Sequence, residues 1–366
     1  MNNISKLNLE KQILAFLLTF LTSIFFSFSA LAITKVSMSV FVPDGGNPYY
    51  QNKVFGYYQG VELLKVEYPN HEVELTLYNA GSYANKMKQI NQIEDSMVKG
   101  VDAMVVTSCD SDALVPVVKK ALSKGIPVVA DDVLVNTDTT MKISEHSYRI
   151  GVNSAAYLAR KLNGKGNVLL LNGPSGAGLF IERNKGMRDE LKRYQNIKIL
   201  DEKWHEPNVM TGRRITEDWA LAHGKKIDAI WSTNSMVATG AADALKDAGF
   251  SPGEVLIVAI DFSDLSLKYL RDGWIDGLIP AQPIKLARVA LMDAFHAYMG
   301  KKIPKRVYTT DDVVVNKEDL KSFDLSDVLI YAPYGDLTGY ACLSILFILT
   351  IGLFFLIRPL LNRKLA

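Results

Sequence analysis

Short, almost entirely apolar segments alternate with segments of helical periodicity through most of this chain. Two of the apolar segments read VLLL at 168–171 and VLIVAI at 255–260. Runs of this kind are typical of parallel strands that helices cover on both faces, because such strands present no side to water. The alternation of strand and helix predicts a doubly wound α/β fold. The roughly ten units exceed what one open sheet usually holds, so we predict two lobes that break near Ser144–Gly151.

Polar and aromatic side chains stand directly after most of the predicted strands. Ligands bind beyond the carboxyl ends of the strands in open parallel sheets, so two facing lobes would form a cleft between two such edges. Carboxylate, amide and guanidinium groups are planar donors and acceptors that suit a polyhydroxyl ligand. Aromatic faces suit the C–H faces of a sugar ring or an ammonium group. The strand-end residues are Asp44, Asn47, Tyr49, Tyr50, 108–112, Asp131, Asp132, Arg183, Asn234, Asp261 and Gln282.

Several polar side chains in these positions have a purely structural alternative, which the sequence leaves open. Asp112 and Ser235 fit the cap positions of their helices, and Asp44 fits a turn. Arg183 fits a surface ion pair, and Cys109 fits a small buried side chain. The regular placement at strand ends, rather than any single residue, favours a binding site.

The chain lacks the motifs that catalysis or nucleotide binding would need. The glycine-rich turn at 173–178 has neither the Rossmann order of glycines nor a Lys-Ser/Thr ending, and it does not form Gly-x-Ser-x-Gly. The five histidines are scattered, without the spacing of metal ligands. We therefore predict a binding protein without catalytic residues, metal or cofactor. With a formal net charge of +2 and no basic stretch in the central part, nucleic acid is not expected as a partner.

The C-terminal segment predicts a membrane anchor. Residues 339–357 carry no charge, and Arg358, Arg363 and Lys364 follow them. About twenty apolar residues in a helix span a bilayer, and the positive-inside rule places the charged end in the cytoplasm. The alternative is a buried helix of a soluble domain. Because Cys342 lies in this segment, a bridge to Cys109 is not expected, and the exported domain must rely on its packed core.

The N-terminal segment predicts export. Lys6 and Lys11 precede a long apolar run, and Ala30-Leu31-Ala32 fits a signal-peptidase site, so 1–32 is interpreted as a signal peptide. The alternative is an uncleaved anchor, which would export the middle of the chain equally well. The expected location is the periplasm, with the C-terminal helix in the inner membrane.

From Thr34 to Asn316 the sequence resembles a known family, the periplasmic sugar-binding proteins of the ribose and galactose type. These proteins have the type I periplasmic binding fold and are the substrate-binding components of ABC transporters. Several independent motifs occur in the family's order along the chain. The motifs are Asn47-Pro48-Tyr49-Tyr50, Cys109-Asp110-Ser111-Asp112-Ala113, 126–129 leading to Asp132, Arg183-Asn184-Lys185-Gly186, Thr233-Asn234, Ala259-Ile260-Asp261 and Ala281-Gln282-Pro283.

The resemblance implies a role for each predicted ligand residue. Asn47 would bond ligand hydroxyls, and Tyr49 and Tyr50 would line the face of the ring. The remaining ligand residues would bond the hydroxyls and the ring oxygen from both lobes: Asp132, Arg183, Asn234, Asp261 and Gln282. One departure concerns the residue after Asp132, where ribose-binding members carry Arg and this chain carries Val133. Ribose itself is therefore not the expected ligand.

The resemblance also implies a three-strand hinge between the lobes. We place the hinge strands near 144–151, 280–283 and 305–314. The predicted fold class is α/β, with two doubly wound parallel-sheet lobes joined by this hinge, plus one C-terminal transmembrane helix. The resulting segments are a signal peptide at 1–32, an N-terminal lobe at 33–147 and 281–304, a C-terminal lobe at 148–280 and 305–330, a linker at 331–338, a transmembrane helix at 339–357 and a cytoplasmic tail at 358–366.

Two functions are consistent with this organisation. The first is a membrane-tethered periplasmic solute-binding protein that captures a sugar or similar small polar ligand by hinge closure and delivers it to an ABC permease. The second is a ligand-sensing receptor that signals to a membrane histidine kinase. Val133 and the tyrosine pair also leave room for a furanosyl signal molecule or a small amine as ligand.

Overall fold

The computed structural model describes residues 33–308, 313–326 and 328, in which strands and helices alternate. The strands are β1 Thr34–Val42, β2 His71–Asn79, β3 Ala103–Val106, β4 Val128–Asp131, β5 Met141–Ser144, β6 Lys165–Leu171, β7 Asn196–Lys203, β8 Ala229–Ser232, β9 Leu256–Ile260, β10 Gly277–Ile279 and β11 Arg306–Tyr308. The helices are α1 Pro48–Glu67, α2 Lys86–Val98, α3 Val115–Ser123, α4 Ser147–Lys161, α5 Gly178–Leu191, α6 Val209–His223, α7 Ser235–Asp247, α8 Asp264–Asp272 and α9 Pro283–Tyr298. Short 3₁₀ turns lie at Gly224–Lys226 and Asp319–Ser322.

The first sheet has six parallel strands in the order β11-β5-β4-β3-β1-β2. Its central strands β3 and β4 are buried along their whole length, as expected for strands covered on both faces. Helices α1 and α9 cover one face, where Tyr57 and Leu291 are buried. Helices α2 and α3 cover the other face, where Ile93 and Val118 are buried. This sheet and these helices form the first lobe.

The second sheet has five parallel strands in the order β10-β9-β8-β6-β7. Helices α4 and α5 pack on one face, where Leu158 and Met187 are buried. Helices α6, α7 and α8 pack on the other face, where Trp219 and Val237 are buried. This sheet and these helices form the second lobe. Two lobes of parallel sheet with helices on both faces are the architecture that the strand–helix alternation predicts.

The chain passes between the lobes after β5, after β10 and after β11. Strand β11 pairs with β5 in the first sheet, although the sequence analysis assigns 305–330 to the second lobe. Further on, Val315 forms an antiparallel bridge with Leu278 of β10, in the second sheet. The third passage therefore begins after Tyr308, inside the predicted hinge segment 305–314, and residues 309–312 lie outside the described part of the chain.

The predicted fold class is corrected in its last part, the C-terminal transmembrane helix, which the described residues do not contain. Among residues 33–308, 313–326 and 328, no helix is long and apolar enough to cross a bilayer. The longest, α1, has 20 residues but carries Lys53, Glu62, Lys65 and Glu67. The segment predicted as this helix, 339–357, lies outside the described residues, as do 1–32, 331–338 and 358–366. The fold class is corrected to two doubly wound α/β lobes.

Candidate ligand-binding site

A small cavity of about 20 Å³ lies between the two lobes, well below the usual volume of a small-molecule site. Each residue that lines it follows the carboxyl end of a strand or lies in the first turns of the next helix. The first lobe contributes Asn47, Tyr49, Tyr50, Tyr83 and Asp132, and the second contributes Leu179, Phe180, Arg183, Pro207, Asn234 and Asp261. The sheet topology therefore brings all the predicted ligand residues except Gln282 to one place.

Gln282 is not among the residues that line this cavity, and it lies at the N-terminus of α9. Its side-chain oxygen is buried and accepts no hydrogen bond from the described residues. Its role in ligand binding stays a prediction.

Two asparagines cap the helices that begin at the cavity. Asn47 Oδ1 accepts a hydrogen bond of 2.9 Å from the backbone N–H of Tyr49, and Asn234 Oδ1 accepts one of 2.9 Å from Met236. A cap of this kind commits the amide oxygen to the helix, so the NH₂ group is the part that can donate elsewhere. Asn234 Nδ2 already donates to Asp261 Oδ2 at 3.2 Å. The caps thus orient two hydrogen-bond donors at the cavity.

Asp132 and Asp261 reach the cavity from strained backbone positions. Their φ angles are 66° and 74°, in the left-handed region that few residues other than Gly, Asn and Asp adopt. Both carboxylates are buried. Burial raises the pKa of Asp261 to about 7, even though Arg183 opposes the rise. Burial also raises the pKa of Asp132, against the effect of Lys53.

Arg183 extends from α5 and is buried, so it is not the surface ion-pair member that the sequence left open. Its guanidinium donates to Thr233 O at 2.7 Å and pairs with the carboxylate of Glu145. Its Nη2 lies 3.9 Å from Asp261 Oδ1. Arg183 Nε and Asp261 Oδ1 are both buried without a hydrogen-bond partner among the described residues. Buried polar atoms usually have a hydrogen-bond partner, so these two atoms are available to bind a polar ligand.

Close packing of α4 on α5 fixes the position of Arg183. A Cβ atom at Gly151 would lie 2.0 Å from Arg183 O, and one at Gly186 would lie 2.0 Å from Tyr148 O. Only glycine allows the two helix backbones to approach this closely.

A second buried cation, Lys53 of α1, lies next to Asp132 but does not line the cavity. Its Nζ is 2.8 Å from Asp131 Oδ2 and 3.9 Å from Asp132 Oδ2. Tyr57 also donates to Asp131 Oδ2, at 2.6 Å. All of these side chains are buried, so the pair stands in a low-dielectric interior.

Among the residues in or beside this site that sequence reasoning missed, four have polar or aromatic side chains. Glu145 comes directly after β5, so the strand-end rule could have found it had so short a strand been recognised. Tyr83 and Phe180 follow β2 and β6 by the same rule. Lys53 gave no local signal, because a lone lysine on a helix is normally solvated.

The lobes touch each other around the cavity. Ser111 N donates to Gly176 O at 2.9 Å, and Gly178 N donates to Ser111 Oγ at 3.0 Å. Ser82 Oγ also donates across the lobes, to Glu206 Oε2 at 3.1 Å. These contacts join the first lobe to the second, so the structure shows the lobes closed on each other.

The cap interpretations of Asp112 and Ser235 are wrong. Asp112 Oδ1 accepts a hydrogen bond of 2.7 Å from Asn136 Nδ2, and α3 begins after Leu114 without a side-chain cap. Asn234, not Ser235, caps α7. Cys109 is the small buried side chain expected, and burial raises the pKa of its thiol to about 12.

Comparison with known proteins identifies the class to which this two-lobed chain belongs. Residues 38–302 match the family model described as periplasmic binding protein domain, so the chain belongs to the periplasmic binding protein family. This membership confirms the resemblance found in the sequence and indicates the periplasm. It also confirms that the chain is a binding protein rather than an enzyme.

Two curated relatives illustrate the similarity in sequence. The xylitol-binding protein of Mycolicibacterium smegmatis is 32% identical over 219 residues, which cover 59% of this chain and 61% of that protein. The ribose import binding protein of Escherichia coli is 24% identical over 291 residues, or 79% of this chain and 94% of that protein.

Solved structures share the fold. An ABC transporter solute-binding protein from Agrobacterium vitis with bound D-fucose has a TM-score of 0.75 at 22% identity, covering 80% of this chain and 100% of that one. An arabinose ABC transporter binding protein from Shewanella, bound to L-arabinofuranose, has a TM-score of 0.70 at 25% identity, covering 78% of this chain and 94% of that one.

Proposed function

We propose that this protein is the periplasmic substrate-binding component of an ABC importer, and that it captures a small polyhydroxyl molecule between its lobes. The observation that carries the proposal is the buried cavity, whose polar groups come from both lobes. Arg183 Nε and Asp261 Oδ1 lack partners there, and a ligand would supply them. Relatives named for binding xylitol, ribose and galactofuranose support this ligand class.

The chemistry of the cavity suits hydroxyl groups. The amide NH₂ groups of Asn47 and Asn234 donate hydrogen bonds, and the carboxylates of Asp132 and Asp261 accept them. A hydroxyl group can accept from the amides and donate to the carboxylates. Tyr49 and Tyr50 supply aromatic surface for C–H faces. Val133 is fully buried in the apolar core and offers no charge at the cavity, which supports a ligand other than ribose.

Binding would close the two lobes. A ligand with partners on both lobes favours the closed arrangement, because only there can it make all of its hydrogen bonds at once. The contacts of Ser111 with Gly176 and Gly178, and of Ser82 with Glu206, would then form together with ligand binding.

A sensor function that signals to a histidine kinase is not favoured. A fructose-binding periplasmic domain of a hybrid two-component system has a TM-score of 0.69 to this chain, but at 24% identity it shares the fold alone. No contact in the described residues favours signalling over delivery to a permease.

The ligand class is tested by differential scanning fluorimetry of the purified protein with a panel of pentoses, hexoses, furanosides, polyols and amines. We expect at least one polyhydroxyl compound to raise the melting temperature, with dissociation constants then measured by calorimetry. If only anions or nucleotides raise it, the ligand proposal fails.

The transport role is tested in the source bacterium. Deletion of the gene is expected to abolish uptake of the radiolabelled ligand. Unchanged uptake together with loss of a ligand-dependent transcriptional response would favour the sensor instead.

A further inference from the structure

The two buried cations at the site are arranged in the same way. Lys53 Nζ lies 2.8 Å from Asp131, outside the cavity lining, and 3.9 Å from Asp132, which lines the cavity. Arg183 is hydrogen-bonded to Glu145, also outside the lining, and lies 3.9 Å from Asp261, which lines the cavity. In each group the cation makes its short contact with the carboxylate that lies outside the cavity lining.

The lining itself therefore has an excess of negative charge. Its charged residues are Asp132, Asp261 and Arg183, which sum to −1 when all are ionised. The guanidinium directs hydrogen bonds to Thr233 O and Glu145 rather than to either aspartate. Both aspartates are at most 6% exposed, so water screens the excess charge poorly.

A second observation points to a missing partner. Asp261 Oδ1 is buried and accepts no hydrogen bond from the described residues, while Oδ2 accepts only a neutral amide from Asn234. A buried carboxylate is costly unless it is paired and hydrogen-bonded. Burial raises the pKa of Asp261 to about 7, because Arg183 does not fully offset the cost of burying its negative charge.

We infer that the ligand is a polyhydroxyl amine whose protonated amino group pairs with Asp132 and Asp261. An ammonium group donates three hydrogen bonds and carries the one positive charge that the lining lacks. The rings of Tyr49, Tyr50 and Tyr83 add aromatic surface, which also favours an ammonium group. The inference rests on the proposed function and narrows its ligand class from sugars and polyols to their amino derivatives.

The test compares matched ligands that differ at one position. D-glucosamine, D-galactosamine and D-mannosamine are each titrated beside the parent hexose and the N-acetyl derivative, and any neutral ligand found in the wider panel is titrated beside its amino analogue. These sets place an ammonium, a hydroxyl or a neutral amide at the same carbon. We expect the amine to bind about ten- to hundredfold more tightly than its neutral counterparts, the range of a charge-assisted hydrogen bond.

Asp132→Asn and Asp261→Asn test whether these two carboxylates cause the preference for amines over neutral ligands. Asparagine keeps the shape and tolerates the left-handed backbone, so these variants are expected to fold. Each should reduce the ratio of amine to neutral affinity at least tenfold. Asp264→Asn, the same change at an exposed position three residues from Asp261, should leave the ratio unchanged.

Each outcome decides the inference. Neutral ligands that bind as tightly as their amines, or tighter, overturn it and leave the proposed function standing. A preference for amines that survives both substitutions also overturns it. If no sugar, polyol or amine binds at all, the proposed function fails and this inference fails with it.

Discussion

Asp132 and Asp261 occupy equivalent positions in the two lobes. Each follows the last residue of a strand, β4 or β9, and each has a left-handed backbone. Asp132 N donates to Ile143 O of β5 at 2.8 Å, and Asp261 N donates to Ile279 O of β10 at 2.8 Å. The same backbone turn thus presents one carboxylate from each lobe to the same cavity.

Removal of either carboxylate is expected to weaken binding. A hydrogen bond to a charged group contributes about 1.5–3 kcal/mol, so Asp261→Ala should reduce affinity by about ten- to hundredfold or more. The check is the rise in melting temperature at saturating ligand for the wild type, which should disappear in the variant. Asp264→Ala, at an exposed site, is the matched control. An unchanged thermal shift in Asp261→Ala would remove this residue from the site.

Stability without ligand should depend on pH through Asp261. Its folded pKa of about 7 lies above the ordinary value of 3.8, so its contribution to stability is fully present below pH 3.8 and is lost as the pH rises through 7. Asp261→Asn should therefore unfold at higher urea concentration than the wild type at pH 8, by on the order of 1–4 kcal/mol in free energy of unfolding. The difference should shrink at pH 5. A constant difference at both pH values would show that Asp261 titrates normally.

The buried pair of Lys53 and Asp131 gives a prediction about stability. Lys53→Leu leaves Asp131 buried without its cation and should cost about 3–5 kcal/mol in free energy of unfolding. Replacing both residues with leucine removes the unpaired charge, and the double variant should recover most of that loss. Chemical unfolding of the wild type, Lys53→Leu and the double variant compares their free energies of unfolding. The account is contradicted if the double variant is as unstable as the single one.

Ser111 offers a test of closure that leaves the ligand contacts intact. Its hydroxyl accepts a hydrogen bond from Gly178 N across the lobes and does not line the cavity. Ser111→Ala should weaken affinity by a few-fold, as expected for one neutral hydrogen bond of about 0.5–1.5 kcal/mol that exists only in the closed form. Ser123→Ala, an exposed serine in the same lobe, is the control. Calorimetric dissociation constants that agree for both variants would exclude this role.

The sequence predicted the sheets well where side-chain pattern alone decides the structure. The apolar run 255–260 contains β9, and 168–171 forms the buried end of β6, because strands covered on both faces need continuous apolar residues. Strand β5 was not recognised in the sequence, since four residues with Lys142 among them show no clear period. Helix α9 was overlooked, although its buried residues Ile284, Ala287, Leu291 and Ala294 recur at helical spacing.

The site was predictable to the extent that topology places it. Strand ends and the family motifs located Asn47, Asp132, Arg183, Asn234 and Asp261, which the structure brings to one cavity. The charge pairing was not predictable, because Lys53 with Asp131 and Arg183 with Glu145 join segments distant in sequence. Such pairs leave no local periodicity, and only the packed fold shows which carboxylate each cation engages.

Small-angle X-ray scattering tests the central claim most directly, which is that two lobes close on one small polar ligand. The measurement compares the radius of gyration of the purified protein alone with that at a ligand concentration that saturates the thermal shift. We predict a smaller radius with ligand, because the lobes would spend more time in the closed arrangement seen here. An unchanged radius at saturation would contradict closure around the ligand.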